Sequence, residues 1–147
     1  MMAYERILVA LDLPDEGAEV LAAARQQAEN SEMPELHLVN VVKPLHHTHG
    51  TLLMGSVTAS ENLDKELHDY AAEILSQWAQ ETGVPAERVH VLTGNPAFEI
   101  RRLADELQAD LIVIGSHGRH GLGLLLGSTA NGVLHGARCD VLTVRVH

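Results

Sequence analysis

Two unbroken aliphatic runs, Ile7-Leu8-Val9-Ala10-Leu11 and Leu111-Ile112-Val113-Ile114, constrain this chain more than any other feature. Each is short, bounded by Asp or Gly, and lacks the polar alternation of a strand with one wet face. That is the pattern of a strand covered on both sides, which parallel sheets flanked by helices provide. Both runs are therefore expected as central strands. Residues 36–42, 89–92 and 141–146 are also short and rich in β-branched side chains. Arg88, His90, Asp140 and Arg145 put charged or polar groups in or beside the last two, which marks those two as edge strands.

The stretches between them have helical spacing. Residues 16–29 are rich in Ala and Glu. Leu63, Leu67, Tyr70, Ile74 and Trp78 recur at steps of three and four and predict a helix over 59–82, with Thr58-Ala59-Ser60-Glu61 as a capping box, Gly83 as the stop and Pro85 beyond. Asn95-Pro96 supplies an N-cap and a proline at the first helical position, after which Ala97, Ile100, Ala104 and Leu107 form the next apolar stripe. A last short helix covers 128–135, with Ala130, Val133 and Leu134 facing inward and Gly136 ending it. The order β-α-β-α-β-α-β-α-β implies an α/β fold: one domain over residues 1–147, with a five-stranded parallel sheet and helices on both faces. Ligands of such sheets bind outside the carboxyl ends of the strands, so function is sought after Leu11, Val42 and Ile114.

Composition removes several classes of function. Twenty Asp and Glu against ten Lys and Arg leave a formal charge of −10, the wrong sign for coating nucleic acid. Four aromatics, Tyr4, Tyr70, Trp78 and Phe98, are too few for a base-stacking platform. One cysteine, Cys139, can form neither an internal disulfide nor a multi-Cys zinc site. The apolar run at 7–11 is too short for a signal-peptide core or a membrane span, so a cytoplasmic protein is the expectation.

The chemistry is concentrated after the second aliphatic run. Seven of the twelve glycines fall between Gly115 and Gly136, beginning where the strand ends. Glycines let backbone N–H groups approach an anion, and the helix opening near Ser128 turns unpaired amides and a positive dipole end toward it. A phosphate-binding loop is the natural reading, with turn formation and close helix packing as the alternative use of the glycines. A Walker-type loop is excluded, because Leu126-Gly127 precedes Ser128 and no lysine follows Lys65. The dinucleotide fingerprint fails as well: Gly121-Leu-Gly123-Leu-Leu-Leu-Gly127 is one residue too long and follows the fourth strand, not the first.

With Ile-Leu-Val-Ala-Leu-Asp at 7–12, Leu-His-Leu-Val-Asn-Val-Val at 36–42, Gly94-Asn95-Pro96, Asp-Leu-Ile-Val-Ile-Gly-Ser-His-Gly at 110–118 and Leu-Gly-Ser-Thr-Ala at 126–130, the chain resembles the universal stress protein family along its whole length. The nucleotide-binding branch of that family has a G-x-x-G, nine residues, then G-[S/T], on a Rossmann-like sheet of the adenine nucleotide alpha hydrolase type. Gly115-x-x-Gly118 and Gly127-Ser128 match it, but only eight residues, 119–126, lie between. The missing residue shortens the loop by up to about 3.5 Å of contour, which Gly121 and Gly123 can absorb or which favours a shorter phosphate chain.

The resemblance implies a site for ATP, ADP or AMP, with Mg2+ as an option. In it Asp12 bonds the sugar or acts through a metal, Val41 and Ile114 line the adenine pocket, and Gly115 and Gly118 approach ribose and phosphate. Gly127, Ser128 and Thr129 offer amides and hydroxyls to the phosphates, and Arg119 is the loop's permanent cation. Each has an ordinary structural use too: a helix cap for Asp12, core for the aliphatics, a solvated charge for Arg119. The resemblance further implies a homodimer through strand 141–146, where Leu142, Val144 and Val146 alternate and leave an edge. No activated nucleophile is evident. A nucleotide-responsive regulator with an unidentified protein partner is therefore favoured, with a slow Mg-dependent ATPase and a nucleotide-free dimeric scaffold as alternatives. His46, His47 and His49 share one long loop but lack a Cys or carboxylate beside them, so solvated histidines are favoured over a metal site. His117 and His120, in the glycine loop, would make anion affinity rise on acidification.

Overall fold

The computed structural model of the chain describes residues 3–12, 17–44, 57–116 and 127–146, with the side chains of 57–61 set aside. Its elements are β1 (Arg6–Ala10), α1 (Gly17–Ala28), β2 (Glu35–Val42), α2 (Val57–Thr82), a 3-10 turn (Ala86–Arg88), β3 (Val89–Thr93), α3 (Pro96–Leu107), β4 (Leu111–Gly115), α4 (Ser128–Gly136) and β5 (Asp140–Val144). All strand pairs are parallel, in the order β3-β2-β1-β4-β5. The aliphatic runs form β1 and β4, side by side in the interior of the sheet; the two polar-flanked runs form its edges. After β3 the chain returns across the sheet to place β4 on the far side of β1. The order thus reverses between β1 and β4, where strand carboxyl ends leave a crevice.

Alternate residues of each strand feed two cores. Ile7, Val9, Leu38, Leu111 and Val113 meet Val20, Leu21 and Ala24 of α1 and Leu75 and Ala79 of α2. Leu8, Ala10, Val39, Ile112 and Ile114 meet Ile100, Leu103 and Ala104 of α3 and Ala130 and Val133 of α4. Leu142, Val144 and Val146 pack on the first of these cores, so their alternation is explained by α1 within the same chain.

Two of the stop and cap signals are found where their chemistry requires, whereas Gly136 is the last helical residue of α4 and Ala137, at φ −71°, is its C-cap. Gly83 takes φ +79°, and the Val84 N–H closes back on the Ala79 carbonyl at 2.8 Å, ending α2. The Asn95 side chain accepts from the Phe98 N–H at 3.0 Å, capping α3. The start of α2 differs from the sequence reading. The helix already includes Val57, so Thr58 lies within its first turn and is not its N-cap.

The face of α2 also differs. The line that is buried is Ala71, Leu75 and Ala79, with Trp78 half-buried beside it; Leu63, Leu67 and Tyr70 are exposed. At about 100° per residue, the large apolar side chains lie roughly a quarter turn away from the buried line. The small Ala71 and Ala79 let α2 approach the sheet closely, and that outweighs side-chain size in deciding which face turns inward.

Candidate functional site

A cleft of about 380 Å³ opens at the carboxyl edge, at the point where the strand order reverses. Its lining comes from five places, one of them Val20 in the first turn of α1. The end of β1 contributes Ala10, Leu11 and Asp12, and β2 contributes Val39, Asn40 and Val41 with Lys43 just beyond. The start of α3 adds Pro96 and Ile100, and the β4–α4 junction adds Ile114, Gly115, Gly127, Ser128, Thr129 and Ala130. Seven residues singled out in the sequence, Asp12, Val41, Ile114, Gly115, Gly127, Ser128 and Thr129, are thus brought to one cavity. Gly118, Arg119, His117, His120 and the loop histidines His46, His47 and His49 lie outside the described residues.

Backbone bonds hold the walls in register. The Gly127 N–H donates to the Ser116 carbonyl at 2.7 Å, and the Ser116 N–H donates to the Val144 carbonyl at 2.8 Å. The two ends of the glycine segment therefore meet across one hydrogen bond, whatever contour the missing residue removes. At the opposite wall the Asn40 amide donates to the Leu11 carbonyl at 2.8 Å, and the Leu11 N–H donates to the Val39 carbonyl at 2.9 Å. Asn40 thereby fixes the exit of β1 and presents Asp12, which is exposed on the rim.

Besides α1, whose cap position lies outside the described residues, α3 and α4 begin at this cleft, and their N-termini are treated differently. Asn95 satisfies a first-turn amide of α3. The N-cap of α4 is Gly127, with no side-chain cap bond. The amides of Ser128, Thr129 and Ala130 have no acceptor within the helix, and the positive end of the helix dipole is left facing the cavity. An anion is the natural complement of such a helix start. Val39 and Ile114 are buried and Val41 is half-buried, so β2 and β4 together give the cleft an apolar part that suits a flat ring.

Sequence reasoning missed Asn40, Lys43, Pro96 and Ile100. Lys43 directly follows Val42, one of the three positions after which a ligand is expected, whereas Asn40 carries no such signal. Lys43 is the one Lys or Arg among the described lining residues. Among the described residues no three His, Cys, Asp or Glu gather as a metal site.

The residues matched by the family model for universal stress proteins run from 3 to 145. The chain belongs to the universal stress protein family. It is 38% identical over 146 residues to universal stress protein A homolog 1 of Coxiella burnetii, covering 97% of each chain. Among solved structures, the universal stress protein UspA from Lactobacillus plantarum shares the fold with a TM-score of 0.79 and 24% identity, over 99% of this chain and 100% of that one. A universal stress protein in complex with cAMP shares it with a TM-score of 0.59 and 24% identity, over 98% of each. No helix of the described residues is long and apolar enough to cross a membrane, in keeping with a universal stress protein fold.

Proposed function

We propose that this universal stress protein binds an adenine nucleotide in the carboxyl-edge cleft and acts as a nucleotide-responsive regulator. One observation carries the reading: of the two helix starts at the cavity whose caps lie among the described residues, α3 is capped by its own Asn95 and α4 has no side-chain cap at Gly127. The amides of Ser128 and Thr129 would hold the phosphates, with the Ser128 and Thr129 hydroxyls and the backbone of Gly115 and Gly127 beside them. Val41 and Ile114 would flank the base. Asp12 would accept from the ribose hydroxyls or hold a divalent cation such as Mg2+ against the phosphates. Lys43 adds a permanent positive charge on the rim. Arg119 and Gly118 would complete the phosphate side. The existence of a cAMP complex in a protein of this fold supports the adenylate class.

Mass spectrometry of nucleotide released from natively purified protein, with calorimetric titration of ATP, ADP and AMP, tests the reading. Retained adenylate or a saturable heat is expected; neither, at millimolar ligand, would overturn it. The same titrations rank the three ligands, and a preference for AMP or ADP would be the mark of the shortened loop. The protein is further proposed to dimerise through the outer backbone edge of β5, which among the described residues pairs only with β4. Light scattering at the monomer mass of 15.9 kDa would contradict that.

A further inference from the structure

The apolar stripe that α2 does not bury is a surface in its own right. Leu63, Leu67 and Tyr70 are 45%, 36% and 52% exposed, and half-buried Ile74 continues the line. Their steps of four, three and four residues form a heptad-like seam along one side of the helix. The seam is separate from the core contact: Ala71, Leu75 and Ala79 serve the sheet, and none of residues 62–70 is buried. Helix length explains why. Twenty-six residues span about 39 Å, whereas the five residues of β3 span about 17 Å, so the helix outruns the strands it covers. Joining parallel β2 to β3, α2 runs opposite to both, and its first turns therefore stand at the carboxyl edge, the same edge as the cleft.

The charge beside the seam identifies what fits it. Glu66 and Glu73 are exposed along one flank of the seam, and Asp69 lies beyond them, one turn from Lys65, which stands on the side of the helix away from the seam. Such a flank repels a second copy of the same face and repels anionic lipid, and it attracts cations. We propose that this seam docks an amphipathic helical segment of a partner protein whose apolar face is bordered by Lys or Arg. Three exposed apolar anchors and an acidic border give a small interface, of the size that supports transient, regulated contacts. The proposal stands whether or not the cleft takes a nucleotide.

Fluorescence anisotropy of a labelled synthetic Leu/Lys helix of about five turns, with leucines on one face, tests it on the full chain. A Kd in the micromolar range, on the order of 10 μM, is expected for so small a contact. Leu67→Ser and Tyr70→Ser should each weaken it at least about tenfold, as should the Glu66→Lys/Glu73→Lys pair, with helix content by circular dichroism retained. Equal binding of a Leu/Lys peptide shuffled to lose its apolar face would overturn the proposal in favour of plain charge attraction. Equal binding of a Leu/Glu helix, or unchanged affinity in Leu67→Ser, would overturn it too. A fall in sedimentation mass in Leu67→Ser would assign the seam to a second copy, and displacement of the peptide by phosphatidylcholine vesicles would assign it to a membrane; either result contradicts a partner helix.

Discussion

The two ends of the same sheet are built on opposite plans. At the amino edge, side chains tie all five strands together. Asp110 accepts from the backbone N–H groups of Glu5 and Arg6, both at 2.9 Å. Arg6 donates to Glu35 at 2.9 Å and to the Leu107 carbonyl at 3.0 Å. The imidazoles of His37 and His90 stack at 5.4 Å and share a 3.1 Å hydrogen bond between β2 and β3, and Tyr4 donates to Asp140 of β5 at 2.7 Å. At the carboxyl edge, hydrogen bonds hold the walls of the cleft apart and in register, while the first-turn amides of α4 face the cavity without a side-chain cap. One end uses its polar groups to hold the fold, and the other leaves the start of α4 without a side-chain cap among the described residues. Substitutions at the first should change stability, and substitutions at the second should change binding.

The largest stability loss is expected from Asp110→Ala, which leaves two backbone donors unanswered. About 2 to 3 kcal/mol should be lost in urea melts, with nucleotide affinity unchanged once the protein is folded. A loss confined to affinity would break the contrast. Gly17→Ala tests its limit, since Gly17 opens α1 at the carboxyl edge yet packs against Trp78 of α2. A Cβ at Gly17 would overlap the ring of Trp78, which α2 holds in place, and about 1 to 3 kcal/mol of overpacking cost should follow. A fully stable Gly17→Ala would show that Trp78 has room to move.

Acid should loosen the amino edge next. Burial pushes both His37 and His90 below the ordinary 6.5, and for His90 the neighbouring His37 adds to it, against a smaller upward pull from Glu106. For His37 the Glu35 carboxylate, 3.5 Å from its Nε2, pulls upward, and the Arg88 and Arg6 cations oppose it. With folded values below unfolded ones, the unfolded chain takes up protons first. Stability is then full above about pH 6.5 and falls as the pH drops through that value. Glu35 adds to the loss at lower pH: the hydrogen bond from Arg6 holds it below the usual 4.5, so its contribution disappears as the pH falls through the carboxylate range. Thermal melts from about pH 8 to 4 should show both steps, and a His37→Phe/His90→Phe pair should flatten the first. The smallest effect belongs to Arg102, which pairs with Glu99 at 2.8 Å and with Glu106 on the surface of α3. Arg102→Ala should leave the urea midpoint almost unchanged, because an exposed pair is screened by solvent.

Much of this arrangement was legible in the residues. Uninterrupted aliphatic runs announced β1 and β4, and the polar neighbours of 89–92 and 141–146 announced the edges, because burial on two faces leaves no position for a charge. Asn95-Pro96 and Gly83 marked helix ends through local chemistry that needs no tertiary partner. The inward face of α2 was not legible. Periodicity counts large apolar side chains, whereas close packing selected the small Ala71 and Ala79, and nothing local told Leu63 and Leu67 that the sheet would end before the helix did. His37, 8% exposed inside β2, was hidden for the same kind of reason: its partner His90 is 53 positions away. Asn40 and Lys43 entered the cleft without a motif, their places set only by strand register.

The central claim is that main-chain donors at the start of α4 capture the phosphates, and proline can remove one of them without disturbing the helix. Ser128 occupies the first helical position, where proline is favoured, and Gly127 before it already has the φ −64°, ψ 158° that a following proline requires. Calorimetric titration of ATP into Ser128→Pro and Ser128→Ala compares loss of the amide with loss of the hydroxyl. The account predicts affinity at least about tenfold weaker in Ser128→Pro than in Ser128→Ala, at equal thermal stability. Equal affinity in the two variants would contradict it.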